Sequence, residues 1–328
     1  MSENNAALNN ASSKVMKQRD MKTVAKKQMV LKVISLILIY VFLITIAISV
    51  LFPFYFMLIS SIKHPQEYKQ NIPTLFPWQF NSGNNWQSSI DWHNYVEVFT
   101  NDNLKLGKLM ANTVFVGVVS TIISLVITVL SAFAFARLEF KGKDALFAAL
   151  LATMMIPGEL FTITNYGTIA RFSREAFMGG MFQWMGKNTF GALIVPFLVS
   201  VFYIYLLKQN FMQVPNELYL AAKVDGTSDL KYLWKVMIPL ALPTLISITI
   251  LKMMGSWNSY MWPRLVANDE AHMLITNGLR TAFTDAGGVT DIPLQMAAVA
   301  VVSLPLFLVF VFLRKYIMKG VSRSGIKG

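Results

Sequence analysis

Long stretches without a single charged side chain divide the sequence. A membrane-spanning helix needs about 20 consecutive, mostly apolar residues. Four stretches reach this length without Lys, Arg, Asp or Glu, and two more contain one charged residue each, Glu159 and Lys252. The pattern predicts an all-α, polytopic membrane protein with six spans, at residues 33–62, 109–136, 145–170, 188–207, 236–263 and 292–313.

The composition supports a membrane protein. Apolar residues make up 55% of the chain and charged residues only 14%, whereas soluble domains have about 45–50% and 25%. The sequence contains no cysteine, which excludes disulfides, thiolate metal sites and cysteine nucleophiles.

Basic residues are distributed unevenly between the two sides of the membrane. Six spans put both termini on one side, and that side holds 19 basic and 7 acidic residues, whereas the connections on the other side hold 9 basic residues. Positive charge is retained on the cytoplasmic side, so both termini are expected to be cytoplasmic. This asymmetry explains the net charge of +12 without binding of nucleic acid.

The same topology divides the chain into regions. Residues 1–31 are polar and rich in Asn, Ser and Lys, and we expect a disordered or amphipathic cytoplasmic tail. Residues 32–320 form the predicted membrane domain, in which residues 209–239 are a cytoplasmic loop. Residues 321–328 form a short cytoplasmic tail. The first apolar run is longer than the core of a secretory signal, so it is expected to stay attached.

Residues able to perform catalysis are scarce. The three histidines lie far apart on external connections, and neither H-E-x-x-H nor G-x-S-x-G occurs. Residues 180–188 read GMFQWMGKN, but this segment has one residue too many for a phosphate loop and ends in Asn188 instead of Ser or Thr. We therefore predict no enzyme activity, no metal site and no nucleotide site in this chain.

Two charged residues lie within the predicted spans. Glu159 follows Pro157 and Gly158, so it is either a solvated helix end or a functional carboxylate. Lys252 must face the bundle interior, a water-filled cavity or a partner subunit, and it either lines a pathway or forms a structural pair. Carriers coupled to protons or sodium ions usually keep several carboxylates in their spans, and this chain does not.

The loop between the fourth and fifth spans reads as two short helices. Pro215 suits a helix start, Gly226 a left-handed stop, residues 227–229 a cap for the second helix and Pro239 its end. On the first helix, Ala221 and Ala222 allow close approach of another backbone, and Leu218 can fill an apolar groove. These two helices are therefore expected to form a docking surface on the cytoplasmic side.

This loop resembles the coupling motif of ABC importer permeases, which is E-A-A, three residues, G, nine residues, I-x-L-P. Leu220 replaces the motif's Glu, and Glu217 matches another acidic position that occurs in the carbohydrate permeases. The matching residues are Ala221, Ala222, Gly226, Val236, Ile238 and Pro239.

From about residue 36 to residue 328 the chain is similar to the maltose-permease-like subunits of carbohydrate importers. Several separate segments carry the resemblance. These are Ser60–Lys63, Asn112–Thr113, Ala136–Gly142, Trp257–Asn258 with Pro263, and Gly320–Gly328.

The resemblance implies a type I ABC importer permease fold in the bacterial plasma (inner) membrane. Such a subunit pairs with a second, homologous permease, sits on two ATPase subunits that bind ATP and Mg²⁺, and receives a sugar or oligosaccharide from an extracellular binding protein. It binds no cofactor of its own. Alternating access follows when the ATPases pull on the coupling loop.

Three sets of functional residues follow from the resemblance. Coupling to the ATPases is expected at Glu217, Leu218, Ala221, Ala222, Asp225, Gly226 and Pro239. The substrate pathway is expected at Lys252, Trp257 and Asn258. Contact with the binding protein is expected at Thr284, Asp285, Ala286, Gly287 and Gly288.

Two other classes of protein remain as alternatives. A self-sufficient secondary carrier or channel is disfavoured by the shortage of intramembrane carboxylates and by the docking loop. A membrane scaffold without a transport role predicts that substitutions at Lys252 and Asn258 are tolerated.

Overall fold

The fold was obtained as a computed structural model, which describes residues 2–69, 74–76, 90–102, 104–174, 178–285 and 291–322. Over these residues the regular structure is helical, apart from an isolated bridge between Lys63 and Ile90. The expected all-α class is confirmed. The α-helices are α1 (Ser2–Ser61), α2 (His93–Thr100), α3 (Leu106–Arg137), α4 (Lys143–Thr153), α5 (Gly158–Phe172), α6 (Phe190–Ile194), α7 (Val201–Met212), α8 (Asn216–Val224), α9 (Asp229–Tyr232), α10 (Ile238–Trp257), α11 (Met261–Val266), α12 (Ile275–Arg280) and α13 (Ile292–Ser322).

Residues 1–59 form a unit by themselves. Helix α1 begins at Ser2 and runs without a break through the segment expected to be a disordered or amphipathic tail. Lys, Met, Gln and Ala, which favour helix, are common before the apolar run, and the first proline is Pro53. The apolar side chains from residue 33 to residue 54 are exposed, as lipid-facing side chains would be.

Four helices of the described chain are long and apolar enough to cross a membrane, and two bent pairs raise the number of candidate spans to six. Helices α4 and α5 meet at 93° within the predicted span 145–170. Pro157 precedes α5 and disfavours helix at the residue before it. The pair that begins with Phe190–Phe197 and continues with α7 bends by 46° within the predicted span 188–207.

The second unit, residues 60–328, has its core around α3. One cluster joins α3 to α7 and α10 through Phe133, Leu207 and Ile248. A second cluster, which includes Leu109 of α3 and Ile275 of α12, joins α3 to α2, α12 and α13. Large apolar residues on the remaining face of α3 are exposed, which fits a helix surrounded partly by lipid. Helix α13 continues to Ser322, into the expected tail at residues 321–328, of which residues 323–328 lie outside the described part.

Candidate functional site

The first helix of the predicted cytoplasmic loop, α8, ends in a Schellman motif. Pro215 has extended backbone (φ −55°, ψ 137°) immediately before α8. Gly226 is left-handed with φ 69°, its N–H donates to the carbonyl of Lys223 at 3.0 Å, and the N–H of Thr227 donates to the carbonyl of Ala222 at 2.8 Å. These two bonds define the motif, and they confirm Gly226 as the left-handed stop.

The second helix of the loop differs from the prediction at its end. The Ser228 side chain caps α9 by accepting from the N–H of Lys231 at 3.4 Å. The chain then makes a π-helical turn, Leu233–Met237, and continues as α10. The prediction that Pro239 ends the helix is therefore wrong. Proline lacks an N–H and crowds the preceding turn, and a π-turn is a known way to accommodate it within a membrane helix.

Polar and aromatic contacts join α8 to α9. The Tyr219 hydroxyl donates to Asp229 Oδ1 at 2.7 Å, and Lys223 Nζ lies 2.7 Å from the same oxygen. The rings of Tyr219 and Tyr232 pack edge to face, with their centroids 5.2 Å apart. The hydrogen bond to Asp229 raises the pKa of Lys223. The two helices therefore form one braced unit.

Helix α8 exposes apolar side chains on two sides. Leu220 and Val224, one turn apart, are 55% and 89% exposed on one side. Leu218, which is 47% exposed, lies on the opposite side, and that side borders a groove of about 270 Å³. Of the expected coupling residues, Leu218, Ala221, Ala222 and Asp225 line the groove, Glu217 is exposed in the first turn of α8, and Pro239 lies outside it in the first turn of α10.

Arg137 anchors this loop to the membrane helices, a role that the sequence analysis missed. It is the last residue of α3 and is only 8% exposed. Its Nη2 donates to the carbonyls of Phe211 at 2.9 Å and Val214 at 2.5 Å, and its Nη1 donates to Asn216 Oδ1 at 3.2 Å. One guanidinium thus fixes the corner between α7 and α8. The available signal was its position as the first charge after the uncharged run 109–136.

A cavity of about 380 Å³ lies between α3, α7 and α10. Lys252 lines it, and Lys252 Nζ donates to the carbonyl of Phe197 at 2.5 Å. Phe197 precedes the bend before α7, where carbonyls are released from the regular helix pattern. A charged group in the middle of a span costs about 3 kcal/mol if it faces lipid. The carbonyl of Phe197 and the hydroxyls of the cavity give Lys252 polar surroundings instead. The hydroxyl-bearing residues around it are Ser120, Ser200, Tyr203, Ser256 and Ser259.

The other two residues expected in the substrate pathway lie elsewhere. Trp257 is 6% exposed and packs with Leu109 and Ile275 in the second cluster. Asn258 is exposed at the end of α10. Neither residue lines the cavity of Lys252, so the structure does not bring the three together. The polar lining residues that the sequence analysis missed are four serines and Tyr203, which carry no distinctive sequence pattern.

The remaining expected positions are Glu159 and the predicted contact with the binding protein. Glu159 is exposed in the first turn of α5, directly after the bend. Thr284 and Asp285 end a π-helical turn, whereas Ala286, Gly287 and Gly288 lie outside the described residues. Near this turn, Lys105 Nζ donates to Glu270 Oε2 at 2.7 Å and lowers the pKa of that carboxyl. In the described part of the chain, no three His, Asp or Glu side chains are grouped as metal ligands.

Comparison with known proteins adds independent information. A family described as "Binding-protein-dependent transport system inner membrane component" matches residues 103–323. The chain is 28% identical over 287 residues to the arabinooligosaccharides transport system permease protein AraQ of Halalkalibacterium halodurans, covering 86% of this chain and 93% of the relative. It is 27% identical over 304 residues to the polygalacturonan/rhamnogalacturonan transport system permease protein YtcP of Bacillus subtilis, covering 89% and 97%.

A solved structure shares the fold. It is a bacterial ABC transporter involved in the import of the acidic polysaccharide alginate, and one of its chains matches with a TM-score of 0.71. The match covers 85% of this chain and 95% of that chain at 22% sequence identity. This similarity confirms the expected type I importer permease architecture.

Proposed function

Because the chain belongs to the family of binding-protein-dependent transport system inner membrane components, we propose that it forms the carbohydrate pathway of an ATP-driven importer. It is a transport subunit and not an enzyme. Two relatives are named for arabinooligosaccharides and for polygalacturonan or rhamnogalacturonan, which supports carbohydrate as the substrate. The first of these sugars is neutral and the second is acidic, so the names alone leave the charge of the substrate open.

The observation that carries this proposal is the braced helix α8, which exposes apolar side chains and borders a groove. Exposed apolar side chains beside a groove, on a helix outside the predicted spans, are typical of a docking surface. We assign it to an ATPase subunit. The assembly then comprises two ATPases, which bind ATP and Mg²⁺, a second homologous permease and an extracellular binding protein. The loop and both termini face the cytoplasm in this arrangement.

Movement of α8 has a direct physical route to the cavity. Asp229 ties α8 to α9, and α9 continues through the π-helical turn into α10, which contains Lys252. Arg137 ties the start of α8 to the end of α3. Packed helices switch between discrete arrangements and do not deform continuously. Closure of the ATPases would therefore shift α10 and α3, which are two walls of the cavity, as α8 moves.

A charge on the exposed face of α8 is expected to remove the ATPase. In a Val224→Asp variant, a carboxylate replaces an 89% exposed apolar side chain, so the fold is retained but the apolar contact is lost. Purification through a C-terminal tag in mild detergent, followed by mass spectrometry, should recover the second permease without the ATPase. The matched control is Val96→Asp on α2, where the side chain is 55% exposed and the ATPase should be retained.

The same purification tests the proposal as a whole. Recovery of the unmodified chain with a second permease and an ATPase supports the importer. Recovery of the chain alone, active in vesicles without ATP, would overturn the proposal in favour of a self-sufficient carrier. ATPase retention in Val224→Asp would exclude the side of α8 that carries Leu220 and Val224 as the docking surface.

The external segment at residues 284–288 is proposed to contact the binding protein. Removal of residues 286–289 is expected to reduce uptake while the subunits still assemble, because the deletion lies at the end of an external connection. Uptake and subunit recovery should be measured on the same preparation. Unchanged uptake would argue against this contact.

A further inference from the structure

The cavity of Lys252 contains a positive charge without an acidic neighbour. Among its described lining residues there are five hydroxyl-bearing side chains and one lysine, and none is Asp or Glu. The runs that surround it, residues 109–136 and 188–207, contain no charged residue, and Lys252 is alone in residues 236–263. The cavity therefore has a net positive charge from the side chains of this chain.

The contact with Phe197 leaves most of the binding capacity of Lys252 unused. An ammonium has three N–H donors, and the carbonyl of Phe197 accepts from one of them. A carbonyl offers a partial charge, which does not neutralise the ammonium. Away from bulk water, an anion is the partner that stabilises such a group most strongly.

The surrounding hydroxyls suggest what the anion is attached to. The same cavity is lined by Ser120 on α3, Ser256 on α10 and Ser259 just beyond α10. Hydroxyls both donate and accept hydrogen bonds. Such groups suit the many hydroxyls of a carbohydrate. The volume of about 380 Å³ is within the range of small-molecule sites.

We propose that this cavity binds an anionic carbohydrate, an inference that rests on the carbohydrate-importer function proposed above. Lys252 pairs with a carboxylate or phosphate of the substrate, and the serines bind its sugar hydroxyls. A neutral sugar would satisfy the hydroxyls but leave the ammonium without a counterion.

The test uses the complete complex, purified from native membranes and reconstituted in liposomes with ATP and Mg²⁺ inside and its binding protein outside. The vesicles receive a mixture of oligogalacturonates, their methyl esters, glycerol 3-phosphate, and neutral arabino- and malto-oligosaccharides. Mass spectrometry then identifies what accumulates inside. Only charged compounds should accumulate, and the galacturonate and glycerol 3-phosphate arms distinguish carboxylate from phosphate.

Three variants assign the selectivity to the ammonium. Lys252→Met should lower accumulation of the charged compound about tenfold, the equivalent of one charge-assisted hydrogen bond, and Lys252→Arg should retain most of it. Ser259→Ala should lower uptake without changing the preference for the charged compound over its neutral counterparts.

Several outcomes would overturn the inference. Accumulation of neutral sugars, or anion uptake unaffected by Lys252→Met, contradicts it while leaving the importer function intact. Loss of the second permease from Lys252→Met, with retention in Lys252→Arg, would identify the counterion as a carboxylate of the partner subunit. Accumulation of no carbohydrate at all would instead contradict the proposed function itself.

Discussion

A Gly226→Val variant is expected to hydrolyse ATP with little import of substrate. Gly226 has φ 69°, a conformation that is unfavourable by about 1–2 kcal/mol for most residues and more so for a β-branched one. A Cβ at this position would meet no atom within 4 Å, so the effect comes from the backbone alone. Relief of the strain would break the Schellman hydrogen bonds and loosen α8 from α9.

The measurement is the amount of ATP hydrolysed per molecule imported by the reconstituted complex. This ratio should rise about tenfold in Gly226→Val, because a strain of about 1.4 kcal/mol corresponds to a factor of ten in an equilibrium. Gly226→Asn is the matched control, because Asn adopts left-handed backbone more readily. It should stay near the unmodified ratio. Equal ratios in all three proteins would show that the helix end does not transmit force.

An Arg137→Met variant is expected to lose both stability and import. Methionine fills part of the same space but donates no hydrogen bond, so the buried carbonyl of Phe211 and the Asn216 side chain lose their donor. The cost is about 3 kcal/mol. The melting temperature of the purified complex should fall by several degrees, and the ATP hydrolysed per molecule imported should rise because the α7–α8 corner is no longer fixed to α3.

Arg137→Lys separates the charge from the geometry. Lysine keeps the positive charge, but a single ammonium cannot reproduce the planar fork that reaches both sides of the corner. This variant should recover part of the melting temperature while coupling remains poor. A variant Arg137→Met that melts and transports like the unmodified protein would show that the corner is held by packing alone.

The helices that cross the membrane could be located from the sequence because their determinants are local. An apolar run of sufficient length favours a helix in lipid whatever its neighbours are, since all its backbone groups must be satisfied within it. The end of α8 was equally accessible, because a left-handed glycine and the two hydrogen bonds after it involve only residues 222–227. The family motif supplied the docking role of the same loop as an expectation.

Local reasoning failed where tertiary packing opposed a local signal. Pro239 was expected to end a helix, yet the chain widens into a π-turn and continues. The buried side chains of Leu233 and Met237 in the first core cluster keep this turn against α3 and α7. Burial of apolar surface therefore outweighs the helix-breaking tendency of proline at this position.

The sequence by itself determined the membrane class, the apolar runs and the two helices of the loop at residues 209–239, because each depends on residues that are close in the chain. Only the tertiary structure decided the role of Arg137, whose partners lie 74–79 residues away, and the contact between Lys252 and Phe197, which are 55 residues apart. It also separated Trp257 from the cavity. Hydrogen-bond partners and cavity walls come from helices that meet only after packing, so no local pattern encodes them.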